Sequence, residues 1–107
     1  MKKVILRLRA ERDVEAVIAH YLDADEAAVA RQFVHALQRA FAHLAQFPTS
    51  GSPRFGLELG FPGLRTWPVT PFRLLIFYVE IADTVDVWAV LHERRDIPEL
   101  LSEPPSF

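Results

Sequence analysis

The stretch Leu64–Asp96, LRTWPVTPFRLLIFYVEIADTVDVWAVLHERRD, decides how the chain folds. Runs rich in β-branched and aromatic residues at 72–81 and 84–91 flank a polar break at Ala82-Asp83. This pattern predicts two antiparallel strands joined by a tight hairpin, with a third strand at 64–70 feeding in before them. In the first run Arg73, Leu75, Phe77, Val79 and Ile81 alternate with Leu74, Ile76, Tyr78 and Glu80. Both sets are mostly apolar, so the strand is expected to be central and covered on both faces. Strict alternation in the last run places Val85, Val87, Ala89 and Leu91 opposite Asp86, Trp88, Val90 and His92. The strand ends in a charged cluster, His92-Glu93-Arg94-Arg95-Asp96.

Working outward, residues 3–9 alternate as a half-buried strand with Val4, Leu6 and Leu8 inward, and their basic face reads as a solvated edge. Residues 11–22 form an amphipathic helix: Val14, Val17, Ile18, Tyr21 and Leu22 follow a 3.6-residue period. Asp23 is expected to cap a second helix, with Glu26 at the capping-box spacing. That helix runs to Phe47, before Pro48, burying Ala30, Phe33, Leu37, Ala40, Phe41 and Leu44. The short connection between the two makes them an antiparallel hairpin. Pro48–Gly63 holds all four glycines and three prolines and reads as a connecting loop, without a phosphate-cradling spacing. Residues 96–101 read as a short C-terminal helix and 102–107 as a frayed tail. The expected fold is one α+β domain over 1–107: an N-terminal strand, then a helical hairpin packed on a mostly antiparallel four-stranded sheet.

Composition narrows the function. With 107 residues, half of them hydrophobic, part of the apolar surface is expected to meet a partner. No apolar run nears the roughly 20 residues that span a bilayer. Arg7 and Arg9 interrupt any signal-peptide core, so a cytoplasmic location is expected. There is no cysteine, and the four histidines are dispersed, so neither metal nor cofactor is expected. His20, His35 and His43 are read as solvated. The net charge of −2 counts against holding nucleic acid by phosphate neutralisation.

An ordered set of short motifs carries a further signal. Ala10, Asp13, Val14, Ile18 and Tyr21 mark the first helix, and Ala30, Phe33, Leu37 and Leu44 the second. Pro48, Gly51, Pro62-Gly63-Leu64-Arg65, Phe72, Ile76-Phe77-Tyr78, Val90-Leu91-His92 and Arg95-Asp96 follow. The set resembles the ParE branch of the ParE/RelE toxins of bacterial toxin–antitoxin pairs, over nearly the whole chain. The resemblance implies a small toxin neutralised by a cognate antitoxin in a hetero-oligomer. ParE-like members block DNA gyrase, whereas RelE-like members cleave mRNA on the ribosome.

A shared fold does not choose between these activities. RNA cleavage needs a base, an acid and cations around the phosphate. The candidate cations are Arg65, Arg73, Arg94 and Arg95, with His92 the acid/base candidate beside them; His92, Arg65 and Arg95 form the nuclease alternative. The lysine-rich patch and the C-terminal tyrosine or histidine common in RelE-like nucleases are missing. The preferred expectation is a non-enzymatic gyrase inhibitor. Trp67, Phe72, Arg73, Trp88 and Arg94 are the candidate partner-binding residues. Core burial is an equal reading for Trp88. Pairing with Glu93 or Asp96 is the leading reading for Arg65, against a place on the surface that meets the target.

Overall fold

The structure is a computed structural model in which residues 1–94 are described. Its elements are β1 (Lys3–Leu6), α1 (Leu8–Asp23), α2 (Ala27–Gln46), α3 (Arg54–Leu59), β2 (Leu64–Pro68), β3 (Leu74–Ile81) and β4 (Thr84–His92). The expected C-terminal helix and tail lie outside the described residues.

The sheet order is β1-β4-β3-β2. The hairpin β3–β4 turns at Ala82-Asp83 as the polar break predicts, and β2 pairs antiparallel with β3. Only β1 runs parallel, alongside β4. β1 is shorter than its alternation suggests, because Arg7 ends the strand and starts the helix. Its N–H donates to the Val87 carbonyl (2.9 Å) and its own carbonyl accepts the Glu11 N–H (3.0 Å). Leu8, expected inward on a strand, is therefore the first residue of α1 and is exposed.

No Asp23 cap forms. Asp23 is the last residue of α1, and α2 starts after Glu26 without a side-chain cap. The helices are joined by a left-handed Asp25 (φ 59°). The Glu26 N–H reaches back to the Tyr21 carbonyl (2.8 Å) and the Asp25 N–H to that of Leu22 (3.1 Å). These bonds close α1 on its orphan carbonyls, the usual way a helix ends at a left-handed residue. α2 buries Ala30, Phe33, Ala36, Leu37, Ala40, Leu44 and Ala45, with Phe41 half-buried.

Both faces of the sheet are covered, as the two apolar sets of β3 predict. On one face Phe33 and Leu44 of α2 pack on Ile76, Tyr78, Val85, Val87 and Val90 of the sheet. The second face gathers Leu64, Phe77, Ala89 and Leu91, with Phe55 and Leu59 of α3 against them. α3 falls in the stretch expected to be a connecting loop. Its six residues carry a glycine and no clear period, yet Gly56 lets its backbone lie on the Leu64 carbonyl, where an added Cβ would sit 2.5 Å away. Left-handed Gly60 (φ 70°) then ends it.

β4 departs from strict alternation. Phe77 pairs with Ala89 and Tyr78 with Val87, so Trp88 is an extra residue on β4. Such a bulge reverses the parity of everything after it. Val85 and Val87 face the helices, whereas Ala89 and Leu91 face the opposite side, and Val90 joins the helix side. The single face expected for Val85, Val87, Ala89 and Leu91 is thus split.

Candidate functional site

Residues of the short motifs meet first in a structural knot at the end of α2. The buried Tyr78 hydroxyl donates to the Pro48 carbonyl (2.7 Å) and accepts the Gly51 N–H (2.9 Å). Arg65 Nη1 donates to the Gly51 carbonyl (2.8 Å), and Ser52 exchanges two backbone bonds with Thr66. A Cβ at Gly51 would fall 2.4 Å from the Tyr78 hydroxyl and 2.8 Å from the Thr66 carbonyl, so only glycine fits. Burial raises the Tyr78 pKa, partly offset by the Gly51 bond and the nearby Arg65 charge. Arg65 is therefore engaged with a backbone carbonyl, and among the described residues it makes no ion pair with Glu93. Trp67, two residues on, stacks on His43 (ring centroids 4.5 Å, 14° between planes), and His43 Nε2 lies 3.0 Å from Ser50 Oγ. His43 is thus packed rather than simply solvated.

The bulge helps to build a second feature. Because parity reverses at Trp88, Val90 and His92 turn toward α1 and line a cleft of about 610 Å³ with Asp13, His20, Tyr21, Phe72, Arg73 and Leu74. That volume is typical of ligand sites. α1 contributes residues 13, 16, 17, 20 and 21, one helical stripe. Phe72 closes the floor, edge-on to Tyr21 (6.1 Å) and Phe33 (5.5 Å).

The polar groups of the cleft are unequally occupied. Asp13 accepts the Val90 N–H (2.9 Å) and lies 3.8 Å from Arg9 Nε. β1 has ended before this level of β4, so the carboxylate supplies the bond that no neighbouring strand offers. His92 Nδ1 accepts the Arg94 N–H (3.1 Å), which places the proton of the neutral ring on Nε2. Exposed Arg73 makes a loose pair with Glu93 (3.9 Å). Among the described residues the His20 ring and the Tyr21 hydroxyl make no hydrogen bond; their rings touch each other at 5.4 Å.

The structure thus brings Phe72, Arg73 and His92 together, with Arg94 adjoining. Arg65 and Trp67 stand elsewhere. Arg65 pairs with Tyr78 across β3 and His92 with Leu74. They are separated by two strand spacings and four residues along β3, roughly 16 Å. Trp88 faces the second side of the sheet, edge-on to half-exposed Phe61 (5.9 Å), with its buried Nε1 unpartnered. Arg95 lies outside the described residues. His20 and Tyr21 of the cleft were expected as surface and core, although their spacing from Asp13 already put them on one stripe. Among the described residues no group of three or more His, Asp or Glu is placed to hold a metal ion.

Comparison with known proteins follows the same lines. A solved structure described as the chromosomal ParDE TA system from P. aeruginosa is similar to this chain, with a TM-score of 0.69 at 16% identity, covering 86% of this chain and 96% of its own. At that identity the likeness establishes the fold. No curated protein matches the sequence. No helix among the described residues is long and apolar enough to cross a membrane. The family model described as "ParE toxin of type II toxin-antitoxin system, parDE" matches residues 4–97, running from β1 past the end of β4, and the chain belongs to that family of toxins.

Proposed function

We propose that this toxin acts by occupying DNA gyrase, so halting replication, and that a cognate antitoxin holds it silent in a cytoplasmic complex. The reading needs neither metal nor cofactor and makes the chain a stoichiometric inhibitor rather than an enzyme. It draws on the family and on a similar structure described as a ParDE system. The observation that carries it is the separation of Arg65 from His92. Arg65, one of the four candidate cations, is bonded to Gly51 instead.

One observation favours the endoribonuclease alternative, the meeting of His92 with Arg73 in an open cleft. Among the described residues one arginine lines the cleft, Arg73, already facing Glu93 and with Arg94 beside it, and this supplies little of the charge stabilisation that a cleaved phosphodiester requires. Induced expression in a bacterial host distinguishes the two. His92→Ala is expected to remain toxic, whereas a gyrase-resistant host is expected to survive the wild-type chain with its mRNA intact. Loss of toxicity in His92→Ala together with mRNA fragments would reverse the assignment.

A further inference from the structure

The cleft between α1 and the end of the β3–β4 hairpin brings an arginine together with Tyr21 and His20, side chains that can each donate or accept a hydrogen bond. Among the described residues the Arg73 guanidinium is held by one loose contact, to Glu93, and the His92 Nδ1 accepts the Arg94 N–H. The Tyr21 hydroxyl and the His20 ring make no hydrogen bond among the described residues. Among the described residues Asp13 is the carboxylate lining the cleft, and it already accepts the Val90 N–H and lies beside Arg9. A site of this kind is complementary to an acceptor-rich, negatively charged group, and a guanidinium with neutral donors around it suits a carboxylate. Phe72, Leu74 and Val90 are among the apolar residues of the wall and match an apolar side chain beside that carboxylate.

A polyanion fits less well. Asp13 lines the cleft and Glu93 stands at Arg73, so a chain of phosphates would meet acids on both sides of the one arginine that lines it among the described residues. The volume of about 610 Å³ accommodates a few residues of a peptide.

We propose that the cleft is an anchor site for an acidic peptide segment of a partner protein, with a glutamate or aspartate held by Arg73 and Tyr21 and a neighbouring apolar side chain against Phe72. The proposal rests on the reading that the toxin works by holding other proteins. Its test is amide and side-chain NMR of the full chain, titrated with a blocked tripeptide carrying glutamate between two leucines. The same peptide with glutamine and a short uridine oligonucleotide serve as competitors. Saturable shifts are expected at Tyr21, Arg73 and His92, with the glutamine peptide at least fivefold weaker. Arg73→Ala is expected to weaken the glutamate peptide about tenfold, and Tyr21→Phe to weaken it severalfold while leaving the circular dichroism unchanged. Equal binding of the two peptides, shifts confined to other surfaces, or tighter binding of the oligonucleotide at these residues would overturn the proposal. Were gyrase inhibition to persist when the peptide shows no such shifts, the anchor would fall and the proposed function would stand.

Discussion

Tyr78 shows at the scale of one residue how motif positions serve folding. The residue has no accessible surface, and its hydroxyl bonds both Pro48 and Gly51. Tyr78→Phe leaves that N–H and carbonyl without a partner, and a loss of about 1–3 kcal/mol is expected in urea unfolding. The pH dependence has a definite sign. Burial raises the folded-state pKa above 10.0, so the folded chain holds its proton after the unfolded chain has released it. The stability tied to this proton is complete below pH 10 and is lost as pH rises through the folded-state value. The advantage of wild type over Tyr78→Phe should therefore shrink in unfolding curves taken above pH 10. Sequence spacing places Tyr78 in a strand but is silent on its hydroxyl, because the partners Pro48 and Gly51 lie about 30 residues away. The bond from Arg65 to Gly51 was out of reach of the sequence for the same reason. Its acceptor is a backbone carbonyl, and no side-chain pattern announces one.

At the scale of elements, the long periodic pieces were legible and the short or interrupted ones were not. α1, α2 and the β3–β4 hairpin follow from apolar periods sustained over many residues. α3 has six residues and a glycine, too few to display a period. The Trp88 bulge was hidden because both faces of β4 are apolar, so a one-residue slip leaves the pattern looking regular. That slip sends His92 toward the cleft, which is why the site was only partly visible. Asp13 accepts the Val90 N–H just beyond the bulge. Asp13→Ala is expected to lower stability by about 1–3 kcal/mol, read as a fall in the urea midpoint with an unchanged slope. The left-handed Asp25 between the helices offers a change of opposite sign. Glycine there removes the Cβ strain, and Asp25→Gly is expected to raise stability by up to about 1 kcal/mol in the same measurement.

For the whole molecule, the placement of the arginines bears on the choice between inhibition and bond cleavage. Arg7 is paired with Asp86 (3.0 Å), Arg65 with Gly51, and Arg9 lies by Asp13. Arg73 is the arginine lining the cleft, which suits recognition of a partner better than turnover of a phosphodiester. The most direct test of that central claim adds the purified chain to DNA gyrase in a supercoiling assay. Inhibition at micromolar toxin, retained by His92→Ala and relieved by the cognate antitoxin, is the result expected. Supercoiling that proceeds unchanged in a micromolar excess of folded toxin would contradict it.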